Sequence, residues 1–482
     1  MDRKIAKNYL YNIAYQILVI ITPLITAPYI SRVLHTDGVG LYSYTNTIAT
    51  VFSLFAALGF SAYGQREIAY NQGDRHKQSI IFFEIVLFRA VLTLVITSIF
   101  VIFSLFKPKY TIYLLPQALT VFSVMFDMAF YFQGIENFRI IVVRNAVIRF
   151  ITIICTFVFV RTESDIGIYI ALHAISPFIC NIIYCFVIRK YIDRIAFADL
   201  HPIRHLRGSI EFFLPIIAVQ TYSYLDKIML GSYMETTVEN GYYEQARKMT
   251  QIIVTAIVAL NTVMMSRISS LYVKDKKEKI VEHYSQTFSI ILMLTIPICA
   301  GLMLVSDNFV TWFFGEDFQK VAILMKLSCP LILLMCVGNF AGIQFLGPTG
   351  LQNKMTIAYI IAAVINVLLN VLMIPRWASI GAMIASIVAE AVSCIIQMFL
   401  LLKSEYRFNI FKGIWKYIAG TAVMILMMLI VHNIFRYQGI VATVCDVLIG
   451  VITYALCLIV FRERNVRELL TYLKNKLHFT KA

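Results

Sequence analysis

A chain of 482 residues that is 60% hydrophobic and only 14% charged, with a mean hydropathy of +0.77, carries too much apolar surface for a soluble globular protein. The formal net charge of +15 does not mark a nucleic-acid binder, because the Lys and Arg residues punctuate apolar segments instead of clustering. The nine cysteines all lie inside those segments without a C-x-x-C pair, which points to buried thiols rather than a disulfide framework or a zinc site.

The N-terminal MDRKIAKNYLYNIAYQ is basic and leads into an apolar run, but no small-residue cleavage site follows, so it reads as a retained first span. Windows of about twenty residues then predict spans at 10–33, 40–62, 81–106, 110–132, 140–160, 166–188, 210–231, 242–266, 284–305, 320–346, 355–374, 379–402, 414–435 and 440–461. The fold class expected is therefore all-α integral membrane, with about fourteen transmembrane helices. The tenth is the least regular, following the loop SDNFVTWFFGEDFQK.

Loop charge sets the orientation. Of the 42 Lys and Arg residues, 29 fall in the segments placed inside when the N-terminus is cytoplasmic, and seven fall outside: Arg32, Lys107, Lys109, Arg161, Lys320, Arg376 and Arg436. That bias predicts an even number of spans in the cytoplasmic membrane, with both termini cytoplasmic.

The stretch TPLITAPYISRVLHTDGVGLYSY, residues 22–44, places Pro23, Pro28, Arg32, Gly38 and Gly40 where one apolar run ends and the next begins. It reads as a proline-broken helix with Arg32 at its outer end, a tight glycine turn and a second helix. Proline in a spanning helix frees backbone carbonyls that neighbours or cavity water must satisfy. A gating bend and a simple packing kink are both open.

Three marks recur along the chain. GLYSYTNTI (40–48) returns as GYYEQARKM (241–249), FQGIEN (132–137) as FLGPTGLQN (345–353), and IGIYIA (166–171) as IGAMIA (380–385). Their shared order and spacing predict a duplication. Each copy holds six spans, an even number, so the copies should be related by an axis along the membrane normal and enclose a cavity. The domains expected are a six-helix bundle at 1–205, a second at 206–405, and two extra helices with a basic cytoplasmic tail at 406–482.

Cations within the spans are the functional signal. A Lys or Arg at a helix centre costs about 2.5–3.5 kcal/mol in lipid, so such residues should face protein or water. Several lie on polar stripes at helical spacing: Arg89 with Thr93 and Thr97; Asn145, Arg149, Thr152 and Thr156; Gln220, Ser223, Tyr224 and Lys227; Glu244, Arg247, Lys248, Gln251 and Thr255. Arg89, Arg149, Lys227, Arg247 and Lys248 are thus candidates to line one cationic cavity. The plainer alternative is structural pairing, Lys227 with Asp226 and Lys248 with Glu244. Glu84, Asp127 and Glu390 are candidates for proton relay or coupling-ion binding, with pairing or interfacial exposure as the alternative.

Enzyme motifs are poor. GVGLYS lacks the third glycine of a dinucleotide loop, GIQFLGPT puts Pro348 where a P-loop needs lysine, and neither H-E-x-x-H nor G-x-S-x-G occurs. No catalytic residue, metal or cofactor is expected, and the energy source should be a gradient, of protons or sodium, or the substrate itself. A membrane polymerase or glycosyltransferase would need a substantial loop with clustered catalytic residues, and no connection is long enough.

With PYISRVL, DGVGLYSY, LGFSAYGQREIA, YLDKIMLGSY and the fourteen-span count, the chain resembles the repeat-unit flippases of surface-polysaccharide synthesis, in the multidrug/oligosaccharidyl-lipid/polysaccharide exporter superfamily. The resemblance covers nearly the whole chain and is strongest in its first 75 residues. It implies two six-helix bundles plus two terminal helices, a cationic central cavity, and transfer of undecaprenyl-pyrophosphate-linked oligosaccharide between leaflets. It also implies membrane lipids, a polymerase and glycosyltransferases of the same pathway as partners, and no nucleic acid. Arg32 and the Asp226–Lys227 pair carry over as members of family-like motifs. Flippases of teichoic-acid or peptidoglycan lipid precursors are the neighbouring alternative.

Overall fold

The computed structural model describes all residues except 1–2, 197–199, 274–276, 412, 436–437 and 468–482; the side chains of 3–16, 219, 221–222 and 260–273 also lie outside the description. Most of the expected basic tail therefore falls outside the described residues. The rest is helical, with no strand among the described residues.

Two compact units emerge, Met1–Gly241 and Tyr242–Ala482. The first holds α1 (Arg3–Ala57), α2 (Phe60–Tyr70), α3 (Arg75–Leu105), α4 (Thr111–Ser123), α5 (Ala129–Gly134), α6 (Phe138–Phe159), α7 (Ile166–Val187) and α8 (Leu206–Tyr233). Helix α9 (Val238–Val273) begins at the boundary and belongs mostly to the second unit. It is followed by α10 (Lys277–Phe313), α11 (Gln319–Leu327), α12 (Cys329–Asn339), α13 (Gln352–Lys403), α14 (Ile414–Phe435) and α15 (Gly439–Val460). Helix α8, the seventh predicted span, packs on α1 and α2, and the two terminal helices pack on α10.

Ten described helical segments are long and apolar enough to cross a membrane. Two of them, at 54 and 52 residues, are twice the length a bilayer needs, and α8 and α9, outside the ten, are 28 and 36 residues long, so fourteen crossings are compatible with the structure. Polarity is inverted relative to a soluble protein. On α3 the exposed side chains include Val91, Leu94, Ile99 and Ile102, while Glu84, Arg89 and Thr93 are buried. This is the arrangement hydrocarbon imposes, because polar groups must find partners inside. The chain is a multi-pass membrane protein.

The 22–44 stretch is built differently from the sequence expectation. The helix runs through Pro23 and Pro28, and its break is at His35, at φ 52 and ψ −171. Gly38 and Gly40 already belong to the following helical rod. The hydroxyls of Thr22 and Thr26 donate to the carbonyls of Leu18 (2.7 Å) and Thr22 (3.0 Å), adding hydrogen bonds on the turn where Pro23 supplies none. The long helix α13 breaks in the same manner at Ala378, at φ 48. In the second unit the proline effect is explicit. Pro297 withholds the N–H that would bond the Met293 carbonyl, and the Tyr454 hydroxyl of α15 donates to that carbonyl at 2.8 Å.

Gly40 serves close approach rather than a turn. A Cβ there would lie 1.8 Å from the Thr237 carbonyl oxygen, and one at Gly241 would lie 2.2 Å from that of Thr36. The equivalent glycines of the first repeat mark thus pack on one another. The contact is held by Thr237, whose hydroxyl donates to Asp37 Oδ1 at 2.7 Å. Gly40→Val should force this seam apart and cost about 1–3 kcal/mol or more, read as a lower thermal midpoint of the purified protein. Gly167→Ala, where a Cβ meets nothing within 4 Å, should leave it nearly unchanged.

Candidate functional site

A cavity of about 400 Å³ opens within the first unit between α1, α6 and α7. One wall is the predicted α6 stripe: Asn145, Arg149, Thr152 and Thr156 all line it, because steps of four, three and four residues return to one face of a helix. Arg144 joins them, and α7 adds Tyr169, His173, Ser176, Cys180 and Asn181, while α1 adds Thr22 and Thr26. Among the described residues, two guanidinium groups and no carboxylate line the space.

Arg144 is held in place by its neighbours. Its Nε and Nη2 donate to Asn145 Oδ1 at 3.1 and 2.7 Å, and its guanidinium carbon sits 3.6 Å from the Tyr184 ring centroid. Tyr184 is fully buried and stacks on Phe132 at 5.2 Å, giving the cation a rigid aromatic floor. Nη1 of Arg144 is buried without a hydrogen-bond partner. Arg149 is half-buried and forms no ion pair among the described residues. The Thr152 hydroxyl lies 2.9 Å from Ser176 Oγ, which ties α6 to α7. The His173 ring stands 4.4 Å from Tyr169 and 5.2 Å from Tyr42.

Other predicted cations lie elsewhere. Arg89, 1% exposed, is sealed against Asp127: its Nη1 donates to the Asp127 carbonyl at 2.7 Å and its Nη2 to Oδ2 at 3.1 Å. Asp127 Oδ1 also accepts the Ala129 amide at 3.1 Å, so the pair fixes the start of α5. Asp226 is fully buried on α8, and the neighbouring Lys227 carbonyl accepts Asn240 Nδ2 at 2.7 Å. In the second unit Lys248 pairs with Glu244 at 3.4 Å, and Arg247 is half-buried beside it. Arg32 is exposed, and Pro23 and Pro28 are half-buried.

The acids separate in the same way. Glu84 is fully buried and accepts the His201 amide at 2.7 Å, Arg204 at 2.5 Å and His205 Nε2 at 2.7 Å. Tyr63 completes the chain at 2.8 Å from His205 Nδ1, fastening the connection ahead of α8 to α2 and α3. Glu390 is 6% exposed in the second unit, on the α13 segment that also buries Ser386, Ser393 and Gln397. Asn370 donates to Asn366 at 3.0 Å on the first half of the same long helix. Among the described residues no group of His, Cys, Asp and Glu could hold a metal ion.

His205 gives a pH test. Burial pushes its pKa below the ordinary 6.5, against the opposing pull of the Glu84 carboxylate. Folding therefore favours the neutral ring, and the stability this contributes is full above 6.5 and lost as the pH falls through the lowered value. Thermal midpoints measured from neutral to acidic pH should therefore decline more steeply in the native protein than in His205→Gln.

A bundle of apolar-surfaced crossings around an internal polar cavity is that of a membrane transporter. The solved structures it resembles agree on the fold. "Lipid II flippase MurJ, inward closed conformation" matches at TM-score 0.78 and 15% identity over 96% of this chain and 100% of that one. An inward-facing multidrug resistance MATE family transporter of the MOP superfamily matches at 0.61 and 16% identity over 79% and 94%. The chain belongs to the polysaccharide biosynthesis protein family, whose model matches residues 5–272. Its relatives include "Putative O-antigen transporter" of Escherichia coli K12, 23% identical over 82% of this chain and 95% of that protein. "Probable flippase AglR" of Haloferax volcanii is 26% identical over 52% and 53%.

Proposed function

We propose that this protein is a flippase that carries undecaprenyl-pyrophosphate-linked oligosaccharide repeat units across the cytoplasmic membrane for surface-polysaccharide synthesis. The observation that carries the reading is the cavity lined by Arg144 and Arg149 without a carboxylate. A diphosphate cannot enter hydrocarbon unaided, since an ion in a low-dielectric medium loses its hydration. Guanidinium groups replace that hydration with paired donors matched to phosphate oxygens, and the unpartnered Nη1 of Arg144 is one such donor. The hydroxyl and amide groups of Thr152, Ser176 and Asn181 suit the adjoining sugar, while the polyprenyl chain stays in lipid. Alternating exposure of the cavity to the two sides completes the transfer.

The family and the names of its relatives support this cargo, and the MurJ likeness supports a second reading of the same chemistry, a peptidoglycan or teichoic-acid lipid precursor. Both cargoes present a polyprenyl phosphate ester to the same arginines. Coupling to a proton or sodium gradient is proposed at Glu390, buried on α13 with Ser386, Ser393 and Gln397. Both termini are placed in the cytoplasm by the loop-charge bias, where the polymerase and glycosyltransferases of the pathway would be partners. Purified protein in liposomes should move lipid-linked oligosaccharide to the opposite leaflet, with a rate that responds to one of the two gradients. Protein-free rates under every gradient would refute the assignment.

A further inference from the structure

A second cavity, of about 430 Å³, lies in the second unit between the first turns of α10, the start of α14 and the segment following α15. Its charged lining is Glu282, Lys416, Glu463 and Arg464. Both acids are already paired, Glu463 inside and Glu282 at the exposed rim. Glu463, 5% exposed, accepts the Tyr417 hydroxyl at 3.2 Å, Asn465 Nδ2 at 3.2 Å and the Val466 amide at 3.0 Å, and Glu282 accepts Arg464 at 2.6 Å. Lys416 reaches only the Arg462 carbonyl, at 3.3 Å, and has no carboxylate partner among the described residues. Asn465 Oδ1 is buried without a hydrogen-bond partner. The site thus offers an ammonium group and a buried acceptor awaiting a donor.

The rim places this cavity at the edge of the hydrocarbon. Trp415 and Phe411 are 58% and 70% exposed, Trp415 leans on Phe461 at 5.5 Å, and the Lys416 ammonium lies 6.0 Å from the Trp415 ring. Exposed aromatics beside basic side chains mark the level of lipid headgroups. From there α14 presents Ile418, Leu426 and Ile430 outward, an apolar track for acyl chains.

We infer that this cavity binds the headgroup of an anionic glycerophospholipid that carries free hydroxyls, as phosphatidylglycerol does. Its phosphate meets Lys416, a headgroup hydroxyl donates to Asn465 Oδ1, and its chains lie along α14. The bound lipid fills the junction between the two terminal helices and α10. With both carboxylates paired, Lys416 is the cation left to recognise headgroup phosphate, as basic side chains between helices at the membrane face do. The same phosphate chemistry could come from free phosphate, but the aromatic rim and the apolar track favour the lipid.

The test uses the full-length purified protein in neutral detergent, with thermal midpoint and native mass spectrometry as readouts. Phosphatidylglycerol should raise the midpoint and be retained roughly tenfold better than phosphatidylcholine, and millimolar inorganic phosphate should do neither. Lys416→Gln should remove the preference at an unchanged lipid-free midpoint, and Asn465→Leu should weaken retention of phosphatidylglycerol relative to phosphatidic acid, which lacks the hydroxyls. Equal retention of the two lipids, an undiminished preference in Lys416→Gln, or a full shift with phosphate alone would overturn the assignment.

Discussion

Arg149→Glu lowers the affinity of the purified protein for a polyprenyl diphosphate by about a hundredfold or more, and Arg149→Lys keeps a substantial part of it. The physical basis is the charge inventory of the α1–α6–α7 cavity. With two guanidinium groups and no carboxylate on its walls, the cavity stabilises an anion, and a hydrogen bond to a charged group contributes about 1.5–3 kcal/mol. Removing Arg149 gives up one such set, and reversing its charge adds repulsion in a partly dry space where Coulomb terms are larger than in water. Lysine retains the charge but not the planar fork that matches a phosphate edge. Circular dichroism and the thermal midpoint should remain near the native values, because Arg149 forms no ion pair among the described residues whose loss would destabilise the fold. An affinity unchanged in Arg149→Glu would remove the cavity from the transport path.

The second large effect concerns folding. Arg89→Met should destabilise the protein by about 1–3 kcal/mol, since it strips a charge partner from Asp127, whose side chain at 26% exposure keeps part of its hydration. Asp127→Asn should cost more, about 3–5 kcal/mol, because it leaves the fully buried Arg89 uncompensated and weakens the bond to the Ala129 amide at the start of α5. In the double variant the two losses should sum to much more than the measured cost, the signature of directly coupled groups. Denaturation of the four proteins in the same detergent reads this cycle. Additive losses would mean that the 3.1 Å contact carries no coupling energy.

These two arginines show what the sequence makes legible. Arg149 stands in a stripe with Asn145, Thr152 and Thr156, and helical period alone puts the four on one wall. Arg89 stands in an equally regular stripe with Thr93 and Thr97, yet its partner is 38 residues away in the extended link ahead of α5, and no local pattern reports that pairing. Arg144 was hidden for a different reason. It lies near the start of α6, where a basic residue counts as loop charge, and its role depends on Tyr184 from α7. Tyr169 and Asn181 likewise reach the cavity only because α6 and α7 pack side by side.

Backbone features divide similarly. The apolar runs gave the helices, because hydrocarbon demands both length and apolarity. The break between the first two spans, expected between residues 33 and 40, falls at His35, but the helix runs on through Pro23 and Pro28, since a helix inside a packed bundle tolerates proline when other donors occupy the neighbouring carbonyls. Gly40 carried a true signal with the wrong local reason. Glycine at that position permits contact with Thr237, nearly two hundred residues downstream, which no window of sequence contains.

The central claim is that a wet, cationic pocket inside the first unit receives a phosphate headgroup. It is tested most directly by placing a single cysteine at Thr152, on the cavity wall, in a background whose nine native cysteines are replaced. A membrane-impermeant thiol reagent should label this cysteine from an aqueous side, and a soluble diphosphate-sugar headgroup should protect it, with protection lost when Arg144 and Arg149 are both replaced by Ala. A cysteine at Thr152 that reacts only with lipid-soluble reagents, or that labels equally with and without the headgroup, would contradict the account.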